Sequence, residues 1–210
     1  MFTTLLRQRG VVIAGEPASG SVPPAATEVA AIESPTIAAL VTAMVNDSDN
    51  GTAELFVKEL GLRKKGVGSS AAGAQAIVES LTAQGLPVPG VVVHDGSGLD
   101  HSNLVTCRLL AAILLRTDPA SPIQAGLPIA AQTGTLSKRF LATPVAGHLR
   151  AKTGSITGVM ALAGFADGRD GPLTFVQVLN GVGRYADGRE IQDSLGAALV
   201  GPAVKMRMAP

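Results

Sequence analysis

The feature that most constrains the fold is a run of three strand-like segments between residues 148 and 180, separated by short polar links. The segments span residues 148–153, 159–166 and 173–180, and the links contain Gly, Asp and Thr. Links of this length and composition join antiparallel strands in hairpins. The pattern therefore predicts a three-stranded antiparallel meander late in the chain.

Apolar residues before the meander recur at helical spacing. The clearest case begins after Ser34-Pro35, which is typical of a helix N-cap followed by Pro in the first turn, and continues over residues 37–45. Further helices are predicted over residues 1–9, 52–60, 70–84 and 103–115, and short strands over residues 11–14, 29–32 and 91–93. Gly61 is predicted to end the second of these helices, and Ser102 to cap the last.

The final predicted helix follows the meander. Asp187 is the predicted cap, and the residues expected to face inward are Ile191, Leu195, Ala198 and Leu199. The predicted fold class is α/β in the broad sense (α+β): a helical lobe, an antiparallel sheet and a C-terminal helix, all within one domain.

Composition limits the classes of partner. The 210 residues are 46% hydrophobic, which is enough for one sizeable core. The formal net charge is +1 and aromatic residues make up 3%, so neither a basic surface nor stacking platforms for nucleic acid are expected. Three His and the single Cys107 have no spacing typical of a zinc site, so no metal or cofactor is expected. Cys107 lies in an apolar run and is predicted to be buried.

A cation and two hydroxyls lie close together on the first strand of the meander, in the sequence Lys152-Thr153-Gly154-Ser155. The period of two places Lys152 and Thr153 on opposite faces of the strand. A lysine and a hydroxyl suit carboxylate binding, and Gly154 lacks a Cβ, so a substrate backbone could approach and pair with the strand. The alternative is a solvent-exposed edge strand that runs into a turn, and this motif alone does not decide between them.

Ser48-Asp49-Asn50 lies in a predicted tight loop between two helices. A hydroxyl and an amide two residues apart can face one cleft, where one transfers a proton and the other binds an amide. The alternative is a simple N-cap for the following helix. The occurrence of both motifs in one chain, about a hundred residues apart, favours the functional interpretation.

With these motifs the sequence resembles the D-alanyl-D-alanine carboxypeptidase/endopeptidase family, the low-molecular-mass class C penicillin-binding proteins. The resemblance spans about residues 2–200. Its landmarks are Ser34-Pro35, Asn46 to Asn50 leading into Ala53-Glu54-Leu55, Asp95-Gly96-Ser97-Gly98-Leu99, Gly134-Thr135-Leu136, Lys152 to Ser155, and Asn180-Gly181.

The resemblance implies part of a serine β-lactamase/penicillin-binding transpeptidase-like fold, with peptidoglycan stem peptides and β-lactams as ligands. By resemblance, Ser48 relays a proton to the leaving D-alanine, and Asn50 binds the substrate carbonyl and steadies a catalytic lysine. Lys152 and Thr153 bind the terminal carboxylate. The backbone N–H of Ser155 is one of two oxyanion-hole donors.

The family's nucleophile motif, Ser-x-x-Lys, occurs nowhere in the 210 residues. The nearest imitation begins at Thr135, with threonine in place of serine, and Ser97 lacks the glycine of a nucleophile elbow because Asp95 occupies its position. We therefore expect residues 1–210 to be the C-terminal part of one catalytic domain, inactive alone and without an export signal of its own. The family implies a periplasmic, extracellular or cell-envelope location. A non-catalytic module that binds peptidoglycan peptides, and a scaffold with accidental motifs, remain alternatives.

Overall fold

Residues 2–201 are described in a computed structural model, and they divide into two units at Ser34. The first unit, up to Ser34, contains helix α1, and the second, from Pro35, contains all the other elements. The helices are α1 Phe2–Gln8, α2 Ile37–Asp47, α3 Asn50–Lys65, α4 Ser70–Ala83, α5 Cys107–Arg116, α6 Pro122–Gly126 and α7 Tyr185–Val200. The strands are β1 Leu149–Ile156, β2 Val159–Gly168 and β3 Gly171–Asn180, and a 3₁₀ turn spans Gly134–Leu136.

The first unit has no strand among its described residues, so the predictions of strands at 11–14 and 29–32 are wrong. Val12, Val29 and Ile32 are 92%, 97% and 98% exposed. A β-strand is stabilised by pairing with a neighbour and by burial of one face. These short apolar runs have neither, so residue preference alone does not make them strands.

Three helices of the second unit have caps at positions that differ from the prediction. Thr36, not Ser34, caps α2 by accepting a hydrogen bond from the Ala39 N–H at 3.2 Å. Thr106, not Ser102, caps α5. The last helix, α7, begins after Arg184, and Asp187 lies in its first turn instead of capping it.

Helices α3 and α4 pack closely because glycines lie at their contact. A Cβ on Gly73 would lie 2.0 Å from the Val57 carbonyl oxygen, so only glycine allows this approach. Gly61 is buried against the same contact, and α3 continues past it to Lys65, where Gly66 ends the helix at φ 74°. The prediction that Gly61 ends this helix is therefore wrong.

The three strands form an antiparallel sheet in the order β1-β2-β3, as the sequence predicts. Leu149 pairs with Ala166 and Thr153 with Leu162, so every second residue of β1 lies on the face that α7 covers. The other face, which includes Lys152, lies towards α5. The 91–93 segment forms only a single bridge, between Val92 and Leu104.

The main core lies between the sheet and α7. Its buried members are Ala130, Leu136, Phe140, Val145, Leu149, Ala151, Leu162, Ala166 and Phe175, and Leu195 and Leu199 pack against them. Ile191 and Ala198 are exposed, so the predicted inner face of α7 is right at two positions and wrong at two. Cys107 is exposed at the start of α5, which contradicts the prediction of a buried thiol.

Leu162→Ala should lower the free energy of unfolding by about 2–5 kcal/mol, because Leu162 is fully buried at the centre of the sheet and the substitution leaves a cavity. The matched control is Leu173→Ala in β3, at a side chain that is 42% exposed, which should cost roughly 1 kcal/mol or less. Urea unfolding of both variants is the measurement. Equal losses would show that the core does not lie where the structure places it.

Candidate active site

Ser48 lies at the junction of α2 and α3, in a loop of only two residues. It is the C-cap of α2 and has left-handed backbone angles, φ 57° and ψ 47°. Asp49 then caps α3, and its Oδ1 accepts from the Gly51 and Thr52 N–H groups at 2.8 and 3.2 Å. A left-handed conformation costs a serine about 1–3 kcal/mol, and such strain persists where the surroundings fix it. The two caps therefore hold the Ser48 side chain at one place.

Lys152 extends from β1 to this loop. Its Nζ donates a hydrogen bond to Ser48 Oγ at 2.6 Å and a second to the carbonyl oxygen of Thr153 at 2.8 Å. The first bond joins residues 104 positions apart and connects the helical lobe to the sheet. The structure thus brings together the two motifs that the sequence analysis singled out.

Burial of the Lys152 ammonium lowers its pKa from the ordinary value of 10.5. Both of its hydrogen-bond acceptors are neutral, and no carboxylate pairs with it among the described residues. A partly desolvated cation without a counter-ion is an electrostatic site for an anion. A ligand carboxylate would supply the missing negative charge.

The outer edge of β1 is paired along only half of its length. The Leu149 carbonyl accepts from the Ala130 N–H at 2.8 Å, and the Ala151 N–H donates to the Pro128 carbonyl at 2.9 Å. Backbone groups alternate along a strand, so the N–H of Ser155 points to the same outer edge. No strand of residues 2–201 pairs with that part of the edge. An extended ligand can therefore add to it and meet the Ser155 N–H.

Thr153 follows Lys152 on β1, and its Oγ1 donates a hydrogen bond to Thr135 Oγ1 at 2.8 Å. Thr135 belongs to the 3₁₀ turn and is exposed. In the sequence Thr135 belongs to the Gly134-Thr135-Leu136 landmark and begins the nearest imitation of Ser-x-x-Lys, and neither feature indicates this contact. No local pattern could show it, because it depends on how the turn packs beside β1.

Asn50, Gly154 and Ser155 are more exposed than Lys152 and Thr153. Asn50 is the first residue of α3, not a loop residue, and its side chain is exposed two residues beyond Ser48. Gly154 and Ser155 are exposed on β1 beyond Lys152. The roles that the resemblance gives these three residues remain predictions.

Glu54 on α3 fixes the loop of residues 95–100 near the site. Its Oε1 accepts from the Gly96 and Ser97 N–H groups, each at 2.9 Å. The hydrogen bond from the Ser97 backbone holds the pKa of Glu54 below its usual value. Asp95 binds the same loop from within, accepting from the Gly98 N–H at 2.8 Å. The loop is therefore a rigid neighbour of α3, and Ser97 serves as part of a turn.

An apolar groove of about 340 Å³ adjoins Lys152. We call it the lobe–sheet groove; it lies between α2, α5, α6 and the sheet. Its lining residues are Val45, Leu110, Ile113, Leu114, Ile123, Leu127, Lys152, Thr153, Gly154, Ala161 and Ala163. Two of these lining residues, Lys152 and Thr153, are also the candidates for carboxylate binding.

Residues 2–201 contain neither a metal-binding cluster nor a membrane-spanning helix. No group of three or more His, Cys, Asp or Glu side chains there is arranged to hold a metal ion. None of the helices in that range is both long enough and apolar enough to span a membrane.

Replacement of Lys152 by Met should leave the protein at least as stable as wild type at pH 7, because Met fills the space without a buried charge. The folded-state pKa of Lys152 is below 10.5, so between the two values the unfolded chain holds more protons. Wild-type stability should therefore rise relative to Lys152→Met as pH increases through that window.

Urea unfolding at several pH values measures this difference. Lys64→Met, at an exposed lysine on α3, is the control for loss of one positive charge. A clear loss of stability in Lys152→Met at pH 7 would mean that the hydrogen bond to Ser48 outweighs the cost of desolvating the ammonium.

Comparison with known proteins shows the family to which the chain belongs. The model of the D-Ala-D-Ala carboxypeptidase 3 (S13) family matches residues 1–200. D-alanyl-D-alanine carboxypeptidase of Actinomadura sp. (strain R39) is 35% identical over 192 residues, which cover 86% of this chain and 36% of that protein. Carboxypeptidase DacB of Mycolicibacterium smegmatis is 36% identical over 183 residues, which cover 82% of this chain and 39% of that protein.

A solved structure, that of penicillin binding protein 4 (dacB) from Haemophilus influenzae complexed with a β-lactam, superposes with a TM-score of 0.70 at 28% identity. The match covers 78% of this chain and 41% of that one, so the chain spans less than half the length of these relatives. The resemblance found in the sequence is confirmed: the chain has the penicillin-binding protein fold and belongs to the D-Ala-D-Ala carboxypeptidase 3 (S13) family.

Proposed function

We propose that this chain forms the carboxylate-binding and proton-relay part of the active site of a serine-type D-Ala-D-Ala carboxypeptidase/endopeptidase that acts on peptidoglycan stem peptides. The observation that carries the proposal is the 2.6 Å contact between Lys152 Nζ and Ser48 Oγ. It places a cation without a counter-ion beside a hydroxyl that can move a proton, at a free strand edge.

Each residue has one role in the proposed reaction. Lys152 attracts the terminal carboxylate of the peptide, and the hydroxyl of Thr153 binds it. Ser48, in contact with Lys152, passes a proton to the departing D-alanine amine. The exposed amide of Asn50 binds the carbonyl of the residue before the scissile bond. The N–H of Ser155, on the outer edge beside Gly154, stabilises the oxyanion of the tetrahedral intermediate.

The nucleophile in this proposal is supplied by a Ser-x-x-Lys segment outside the 210 residues. Two observations support it: no such motif occurs in the sequence, and relatives extend well beyond the matched region. The lobe–sheet groove is apolar and ends at Lys152, so it suits the apolar face of a helix that carries the serine. The N–H of that serine would be the second oxyanion donor, whose loss typically costs about 2.7–4 kcal/mol.

β-Lactams are proposed as ligands of the same site, because a β-lactam carboxylate can occupy the place of the peptide's terminal carboxylate. The related structure from Haemophilus influenzae was solved with a β-lactam bound.

Peptidoglycan lies in the cell envelope, so the proposed location is periplasmic or extracellular. No metal or organic cofactor is needed, because acyl transfer to a serine requires only a nucleophile, a base and oxyanion donors.

A non-catalytic peptide-binding module is the second candidate. The residues proposed to bind the carboxylate, Lys152 and Thr153, both belong to this chain and are held without the nucleophile, which favours binding without cleavage. The two candidates differ in covalent chemistry, because only the enzyme forms an acyl adduct.

The 210-residue chain alone should form no covalent adduct with a fluorescent penicillin, because it contains no serine followed three residues later by lysine. The measurement is in-gel fluorescence after denaturing electrophoresis, with heat-denatured protein as the control for non-specific labelling. A band that requires native protein would show that another residue of this chain, and not an external serine, is the nucleophile.

In protein that contains the nucleophile, Lys152→Ala should lower kcat/KM for D-Ala-D-Ala peptides and the rate of acylation by penicillin together, each by roughly tenfold or more. One cation serves the same carboxylate in both ligands. Lys152→Arg should not restore full activity, because a guanidinium differs in shape and hydration from an ammonium. Lys64→Ala is the matched surface control. Wild-type kinetics in both Lys152 variants would refute the carboxylate assignment.

A further inference from the structure

The hydroxyl of Thr135 has no role in the function proposed so far, yet it lies 2.8 Å from the hydroxyl of Thr153. Thr135 approaches from the 3₁₀ turn beside β1, and its side chain is exposed. Its contact is therefore with the site and not with the core.

Other residues hold the turn in place. Thr133 Oγ1 accepts from the Ile129 N–H at 2.9 Å and from Asn46 Nδ2 at 3.5 Å. Leu136 is fully buried in the core. Gly134 has φ +52°, and a Cβ there would lie 2.4 Å from the Asn46 carbonyl oxygen. The turn is thus fixed against the end of α2, two residues before Ser48, without the Thr135 side chain.

Counting protons shows what the pair of hydroxyls offers. The two hydroxyls have two protons, and one of them forms the bond between Thr153 and Thr135. Thr153 Oγ1 donates and Thr135 Oγ1 accepts, so the free donor of the pair is the hydroxyl of Thr135. The Lys152 ammonium has three N–H groups, of which two are bound to Ser48 Oγ and the Thr153 carbonyl. One donor remains there too, and a carboxylate has two oxygens to receive the two donors.

We propose that Thr135 is a specificity-determining residue for the ligand's terminal carboxylate. The Thr135–Thr153 hydroxyl pair binds one carboxylate oxygen and Lys152 binds the other, so the site selects a free carboxylate over an amide. An amide NH₂ would face these donors with hydrogens of its own and would leave a donor unpaired. Selection of a peptide ending in D-Ala rests on the proposed function, but binding of a simple carboxylate does not.

The test compares wild type with Thr135→Val, which keeps the shape and removes the hydroxyl, and Thr135→Ser, which keeps the hydroxyl. Equal thermal unfolding midpoints in the three proteins would show that the turn is intact. Titrations followed by the amide NMR signals of Thr153 and Ser155 use three probes: acetate, N-acetyl-D-Ala-D-Ala and the C-terminal amide of that peptide.

Thr135→Val should weaken binding of acetate and of the free-acid peptide by about tenfold or more and leave binding of the amide nearly unchanged. Thr135→Ser should stay within about threefold of wild type, because it retains the donor. An unchanged preference for acid over amide in Thr135→Val would overturn the proposal. So would an absence of acetate-induced shifts at Thr153 in wild type.

The outcomes separate this proposal from the proposed function. If wild type binds acetate through Thr153 and the Thr135→Val variant does not, the carboxylate role of Thr135 stands even where neither peptide binds. That result would instead count against D-Ala-D-Ala peptides as the ligand. If both peptides bind and Thr135→Val has no effect, the proposed function stands and the role of Thr135 is refuted.

Discussion

The hydrogen bond from Lys152 to Ser48 is the contact on which the site depends, because it joins the helical lobe to the sheet at 2.6 Å. Its geometry is set from both sides. The two caps between α2 and α3 fix Ser48 in a left-handed conformation, and pairing of β1 with β2 fixes Lys152. The ammonium is held in partly desolvated surroundings with neutral partners, which lowers its pKa and leaves positive potential for an anion. Such a site is organised before any ligand binds.

The three strands of the meander could be predicted from sequence because they rest on strong, local signals, whereas a common site for the two motifs was implied by their joint occurrence and by the family resemblance. Strand-like residue patterns and short polar links indicate β1 to β3, and each of these three strands lies within three residues of its predicted bounds. The residues that cap the helices were harder to predict than the strands. Ser34 and Thr36 lie two residues apart and both can cap a helix, and the local sequence does not choose between them. Ser102 does not cap α5, because Val92 pairs with Leu104 and the chain stays extended as far as Thr106.

The contacts that surround the motifs could not be predicted, because they join positions far apart in the chain. Glu54 binds the loop 42 residues later, and buried Arg139 binds Gln192 at 3.1 Å across 53 residues. Thr135 meets Thr153 only because the 3₁₀ turn lies against β1. No periodicity or spacing in the sequence indicates these contacts. They follow from packing of Leu136 in the core and from the small size of Gly134 beside Asn46.

The site divides into parts that differ in what they need from the rest of the protein. The cation, the hydroxyl pair and the free strand edge are held by contacts within residues 35–201. The lobe–sheet groove beside them is lined almost wholly by apolar side chains, and apolar surface of this kind gains roughly 25 cal/mol for each Å² removed from water. A helix that covered the groove would therefore gain binding energy from its apolar face and bring a polar residue at its end to Lys152. In such an arrangement, packing supplies the affinity between the parts, and the lysine and hydroxyls supply the chemistry.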